Sequence, residues 1–202
     1  MIKRTADLVT AIMALVLASP VLAVAAIAIR LEDGGPVLFK QQRVGLNGTL
    51  FSAFKLRSMV ADAERKGLGL AVKDGDERIT RVGRLIRATS IDELPQLWNV
   101  IRGEMSVVGP RPTVPSQVEQ YTPRQRKRLN ALPGITGWAQ VNGRNSISWA
   151  ERIELDIWYV EHWSLWLDVK ILALTPRALL PRGGSHYGAG GTTPAFVKEK
   201  NS

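Results

Sequence analysis

The sequence predicts a mixed α/β protein: a re-entrant membrane helix-break-helix and interfacial helices support a small domain with a β-hairpin. Three observations predict this class. Leu8 to Ile29 is a run of 22 residues without a charge. Pro36 to Arg43 and Thr49 to Arg57 are strand-like segments joined through Gly45-Leu46-Asn47-Gly48, whose Asn-Gly is a turn signal. Leu94, Leu97, Trp98 and Ile101 repeat at the spacing of an amphipathic helix.

The composition narrows the function before any motif does. A chain of 202 residues has room for one ordinary domain, or a small domain plus an anchor. Lys and Arg total 27 against 18 Asp and Glu, a formal charge of +9. The partners expected are therefore anionic: nucleic acid, phosphorylated metabolites or an anionic membrane face. Cysteine is absent, which removes disulfides, thiol catalysis and thiolate metal sites. His162 and His186 are the only histidines, too few for a histidine-based metal cluster.

As a straight helix the uncharged run would measure roughly 33 Å, enough for a hydrocarbon core of roughly 30 Å. A signal peptide, with Lys3 and Arg4 as its basic start, and a simple spanning helix are the alternatives. Two features argue against simple spanning and leave a re-entrant path and a proline kink in a spanning helix as equal alternatives. Lys3 and Arg4 precede the run while Arg30, Lys40 and Arg43 follow it, so positive charge draws both ends to the same side. At Ser19-Pro20 the proline ring removes a backbone donor, and a serine hydroxyl stands ready to serve a freed backbone group.

In the second strand, alternation places Phe54 and Leu56 on one face and Lys55 and Arg57 on the other. Val60 to Arg65 reads as a short helix and Gly67 to Gly75 as a loop. Arg78, Arg81, Arg84 and Arg87 recur every three residues, which on a helix lines them along one side. Gly103 is the expected stop of the helix bearing Leu97. Gly109-Pro110-Arg111-Pro112 is a rigid turn holding one arginine, and Pro133 to Gly137 is a second turn-rich loop. Ile147 to Leu180 reads as two helices parted near residues 162 to 165, with Trp158, Trp163 and Trp166 assigned to the core ahead of a membrane interface. The tail from Arg182 onward is expected to be flexible.

Ser90-Ile91-Asp92-Glu93-Leu94-Pro95 sets two carboxylates at the start of a helix in a basic chain. With Asp92 as N-cap, Pro95 falls where a missing donor costs nothing, and capping alone explains the acids. Hydrolysis of a glycoside is a poor fit, because adjacent helical residues diverge by roughly 100° and do not face each other across a sugar. A divalent metal site and a carboxylate nucleophile for phosphoryl transfer both fit, and they belong together: an anion attacking a phosphate needs cations beside it.

The ordered segments KRTADLVTAIMALVLASP, GGPVLFKQQRVGLNGTLFSAFKLRSM, GRLIRATSIDELPQLWNVIRGEMSVVGPRP, LPGITGWAQVNGRNSISW and LDVKI together resemble the small monotopic phosphoglycosyl transferases of bacteria. The resemblance runs to about Leu174. Lys55-Leu56-Arg57-Ser58-Met59 departs from the family's frequent aromatic after the lysine and threonine before the methionine. The resemblance implies transfer of a sugar 1-phosphate from a UDP-sugar to polyprenol (undecaprenyl) phosphate, with Mg2+ and release of UMP. It implies Asp92 as the nucleophile that carries the phosphosugar, and Glu93 as its partner in metal binding or acceptor deprotonation. Arg87, Arg111, Arg144, Lys55 and Arg57 would serve the phosphates or nucleotide, and Ser19-Pro20 would be the membrane break, with Lys3 and Arg4 anchoring it. The expected units are a re-entrant helix over 1–31, a catalytic domain over 32–181 on the cytoplasmic face of the bacterial inner membrane, and a tail over 182–202. A membrane-tethered nucleic-acid-binding protein and a non-catalytic pathway scaffold are the rival functions. The basic residues are dispersed around turns, so nucleic acid is not expected as a partner. The sequence leaves a homodimer open and does not identify the sugar.

Overall fold

The structure is a computed structural model that describes residues 2–60, 62–63, 75–143 and 147–179. The helix read over 60–65 and the loop over 67–75 lie largely outside the described residues, and the tail lies wholly outside them.

The apolar run forms one helix, α1, Ile2–Asp33, with Pro20 inside it. The expected interruption at Ser19-Pro20 does not occur: the helix continues through it, and the local chemistry shows how. Pro20 cannot donate to the carbonyl of Val16, four residues back, and the Ser19 hydroxyl donates to that same carbonyl at 2.8 Å. One stripe of α1 packs on the rest of the protein along both halves. Ala11 is buried with the main core, and Ala25 and Ile29 with a smaller cluster around Leu56 and Ile86. The opposite stripe, including Ile12, Met13, Val16, Leu17, Val24 and Ile27, is at least half exposed. By length and composition α1 can cross a membrane.

Both ends of α1 are tied to the same domain. Near its start, Arg4 donates to the carbonyls of Val100 and Ile101, and the buried Asp7 accepts from the Ser106 hydroxyl and the Val107 amide. At its finish, Glu32 accepts from the amides of Arg81 and Val82, and Asp33 pairs with Arg57.

The hairpin is as the sequence predicts. β1, Leu38–Val44, and β2, Leu50–Leu56, pair antiparallel with Leu38 opposite Leu56 and Val44 opposite Leu50. Asn47 takes the left-handed conformation that the Asn-Gly turn requires. α2, Arg81–Ala88, begins after Thr80, whose side chain accepts from the Gly83 amide. Arg78 therefore precedes the helix, and the expected four-arginine row is shortened: Arg78 is buried against Asp76, while Arg81 and Arg84 face solvent. Gly83 lets α2 lie directly on the β2 exit, since a Cβ there would sit 2.0 Å from the Ser58 carbonyl oxygen.

α3, Gln96–Arg102, stops at Gly103 with φ 83°. Beyond it, β3, Ser106–Val108, pairs in parallel with β4, Gly134–Thr136, inside the segment the sequence marked only as a turn-rich loop. α4, Pro115–Val118, and a 3-10 turn, Gln125–Asn130, lie between those strands. α5, Trp138–Asn142, α6, Trp149–Glu161, and α7, Leu165–Leu179, follow, with the break at 162–164 as predicted.

The main core gathers Phe51, Ala53, Leu97, Val100, Met105, Val108, Tyr159 and Ile171. The tryptophans assigned to it are not there. Trp166 is 77% exposed, Trp163 46% and Trp158 39%. Trp158 stacks at the surface between Trp138 and His162. The helical period of α6 and α7 gives its buried stripe instead to Ile153, Ile157, Leu167 and Ile171.

Candidate active site

The two carboxylates stand in a 3-10 turn, Ile91–Glu93, just before α3, with Ser90 in the left-handed conformation. Asp92 is not the N-cap. That position belongs to Pro95, and no side chain caps the helix. Capping therefore does not account for the pair, and the geometry around each acid differs.

Asn99 sets the turn in place. It is fully buried on α3, accepts from the Phe54 amide at 3.1 Å and donates to the Ser52 carbonyl at 2.8 Å and to Glu104 at 2.7 Å. A carboxamide with an acceptor and two donors in use locks α3 to the free edge of β2. The turn ahead of α3 is thereby brought beside Lys55.

Glu93 is clamped by cations. Lys55 Nζ donates to its Oε1 at 3.2 Å, Arg111 Nη1 donates to Oε2 at 3.1 Å, and Arg111 Nη2 also reaches Oε1. Burial pushes the Glu93 carboxyl up, but Arg111 and Lys55 more than reverse this and hold it well below the usual carboxylate range. Burial in turn lowers the Lys55 ammonium, with Glu93 opposing the shift.

Asp92 is buried yet accepts no hydrogen bond from any described residue. Burial, and then the neighbouring Glu93 charge, raise its carboxyl to about 6, against the pull of Lys55, Arg87 and Arg111. The dyad is thus split into one acid neutralised by two cations and one that is open, with three cations near it. Arg87 Nη1 lies 3.4 Å from the Ser58 hydroxyl, while its buried Nη2 has no partner among the described residues. A guanidinium nitrogen left over inside a cationic site is a donor in search of an anion.

The structure brings together Asp92, Glu93, Lys55, Arg87 and Arg111. It does not bring Arg57, which is buried against Asp33 at the end of α1, with its guanidinium filling the space beside Gly35. Arg144 lies outside the described residues. Ser19 and Pro20 are exposed on α1. Lys3 and Arg4 point into the domain: Lys3 reaches Asp168 at 2.6 Å and the Val108 carbonyl at 3.2 Å. Sequence reasoning passed over Asn99 and Asp7. An aspartate opening an apolar helix was a readable signal for the second; nothing short of the fold marks the first.

Among the described residues no three His, Cys, Asp or Glu side chains converge as a metal cluster. Magnesium does not need one. It takes one or two carboxylates and fills its sphere with water and substrate phosphate oxygens. The open Asp92 carboxylate, beside Glu93, has the donor chemistry for that arrangement.

An open buried carboxylate ringed by Lys55, Arg87 and Arg111 makes a site suited to chemistry on a phosphate, in a protein whose helix α1 is long and apolar enough to cross a membrane. The comparisons with known proteins agree with this class. The bacterial sugar transferase family model matches residues 1–182, and the chain belongs to that family. It is 48% identical over 183 residues to the uncharacterized sugar transferase EpsL of Bacillus subtilis, covering 91% of this chain and 89% of that one. It is 47% identical to the UDP-glucose:undecaprenyl-phosphate glucose-1-phosphate transferase of Caulobacter vibrioides, covering 88% of this chain and 69% of the relative. It is also 43% identical to the undecaprenyl-phosphate galactose phosphotransferase of Salmonella typhimurium, covering 92% of this chain but 42% of the relative. The chain thus spans less than half the length of this last protein.

Proposed function

We propose that the protein is a phosphoglycosyl transferase that moves a sugar 1-phosphate from a UDP-sugar to undecaprenyl phosphate or a similar polyprenol phosphate. The observation that carries this reading is the asymmetry of the dyad: Glu93 is engaged by Arg111 and Lys55, and Asp92 is left open within reach of their field. The printed names of the Caulobacter and Salmonella relatives support the donor and acceptor classes.

In this reading an Asp92 oxygen attacks the phosphorus that carries the sugar. The new bond is an acyl phosphate, the bond to the UMP oxygen breaks, and UMP leaves with the electron pair. An oxygen of the polyprenol phosphate then attacks the same phosphorus, the bond to Asp92 breaks, and the carboxylate is restored. Lys55, Arg87 and Arg111 offset the charge of the equatorial oxygens in both steps. Magnesium, held by Asp92 or Glu93 with substrate oxygens, would supply further neutralisation of the diphosphate. Of the two roles expected for Glu93, metal binding and acceptor deprotonation, its clamp disfavours the second, because an acid held ionised by two cations is a weak proton acceptor.

The same reading places α1 in one leaflet of the inner membrane with the domain on the cytoplasmic face. Its support is that both ends of α1 contact one domain. Ala11 and Ala25, one in each half of α1, are both packed on that domain, which holds the helix along it. The exposed Val16, Leu17, Val21 and Val24 around Pro20 are the stripe of α1 that would face lipid. A single cysteine at Ile2, in a chain that has none, tests it: labelling from the periplasm contradicts the re-entrant path.

The activity is tested by UMP release from detergent-purified protein with magnesium, undecaprenyl phosphate and a panel of UDP-sugars. Release with one donor, abolished in Asp92→Asn, supports the reading. Release retained in that variant removes Asp92 as nucleophile.

A further inference from the structure

The turn that carries Arg111 is held carbonyl by carbonyl. Gly134 N–H donates to Pro110 O at 2.8 Å, Arg43 Nη1 to Pro112 O at 3.2 Å and Val44 N–H to Thr113 O at 2.9 Å. The carbonyl of Arg111 itself is held by a charge: Arg128 Nη2 donates to it at 3.0 Å.

Arg128 is set deep in the protein and fixed from every side. It is 3% exposed, donates through Nη1 to the Tyr121 hydroxyl at 2.5 Å and is paired through Nη2 with Asp156, itself 1% exposed. The Tyr121 hydroxyl lies 3.1 Å from Thr113 Oγ1, so it joins the same turn a second time. The rings of Tyr121 and Trp149 each lie 5.7 Å from the guanidinium carbon. Asp156 keeps one buried oxygen, Oδ1, without a partner among the described residues.

That leftover oxygen makes stability a poor explanation for the pair. Withdrawing two charges from water costs roughly what their attraction returns, and a half-satisfied acid makes the balance worse. A buried pair does fix geometry. Arg111 spends both prongs of its fork on Glu93, so what it offers a phosphate beside Asp92 is its charge, and the place of that charge depends on where its main chain is held, to within about 0.5 Å.

We propose that Arg128 and Asp156 are positioning residues for the donor phosphate: by holding the main-chain carbonyl of Arg111 they set where its guanidinium reaches. This rests on the phosphoglycosyl transfer proposed above. Neither residue touches the substrate; both act through Arg111.

The test is a double-mutant cycle on UMP release. Arg128→Met/Asp156→Leu replaces the pair by apolar groups of similar volume, which preserves folding in comparable buried pairs. The expected result is a melting temperature near that of wild type with kcat/KM for the donor lowered at least tenfold. In an Arg111→Ala background the same replacement is expected to change kcat/KM by less than twofold, because the group it positions is gone. Losses that multiply across the two backgrounds overturn the proposal, and so does an unchanged kcat/KM in the Arg111 chain. If the apolar replacement lowers the melting temperature by more than a few degrees, Arg128→Lys decides by the same cycle: a single ammonium keeps a charge beside Asp156 but cannot also hold Tyr121 and the Arg111 carbonyl. No UMP release by wild type overturns the functional reading and this inference with it. Release by wild type with a multiplicative cycle overturns the positioning alone.

Discussion

Replacing Arg111 with Met removes the two-pronged half of the Glu93 clamp and leaves Lys55. Breaking a buried ion pair from one side costs about 3–5 kcal/mol, because the surviving charge is stranded. Here Lys55 remains within 3.2 Å of Glu93, so the loss is expected at about 2–3 kcal/mol, near the range for charged hydrogen bonds. For a chain of this size that corresponds to a fall in Tm of roughly 4–12 °C. The pH dependence carries the diagnostic sign. Glu93 is held below its ordinary value of 4.5 in the folded wild type, so its contribution is complete above pH 4.5 and is lost as pH falls through the folded-state value. Without Arg111, burial raises the Glu93 carboxyl and it takes up a proton at higher pH. The difference between wild type and Arg111→Met is therefore full at pH 7 and narrows toward pH 4. Thermal unfolding in detergent from pH 4 to 8 measures it, with Arg111→Met/Glu93→Gln as the companion that recovers most of the loss. A difference that stays constant across this range, or a companion no better than the single variant, refutes the clamp.

Asp92→Asn tests the opposite sign: burial raises the folded carboxyl to about 6 from 3.8, so wild type loses stability as pH rises through that window. The variant's advantage in Tm is expected to appear between pH 4 and 6 and to stay level above, while UMP release disappears. The donor half-reaction, followed as UMP formed in the first turnover, is expected to rise with pH as Asp92 ionises; first-turnover UMP retained in Asp92→Asn argues against it as nucleophile. Asn99→Leu strands the Phe54 amide and the Ser52 carbonyl, an expected loss of about 2–4 kcal/mol read by thermal melts. Ser19→Ala leaves the Val16 carbonyl without the donor that replaces Pro20. Its expected cost is about 1 kcal/mol, read as a lower melting temperature in lipid nanodiscs.

Local signals carried much of the fold. The hairpin was legible because Asn47-Gly48 demands a conformation few other pairs accept, and α3 because its apolar period ends at a glycine that takes positive φ. The parallel pairing of β3 with β4 was not legible: each strand has three residues, and their partnership depends on Gly109 lying so near Gly134 that a Cβ on the latter would be 2.1 Å from the Gly109 amide nitrogen. A surface assignment for the tryptophans of α6 and α7 needed knowledge of which stripe the core would take. At the site, adjacency in sequence revealed the dyad but not its division of labour. That division comes from Arg111, 18 residues beyond Glu93, and from Lys55 on β2, 38 residues before it. Arg57 shows the converse: strand alternation placed it beside Lys55, while the end of α1 brought Asp33 to claim it.

The central claim, that Asp92 becomes covalently loaded, is tested most directly by the intact mass of the protein after incubation with magnesium and a UDP-sugar it turns over, with no polyprenol phosphate present. The account predicts a gain equal to the sugar phosphate, located on Asp92 by peptide mapping, absent in Asp92→Asn and discharged when undecaprenyl phosphate is added. UMP released in step with product, while the protein mass never changes in a rapidly quenched turnover, would contradict it.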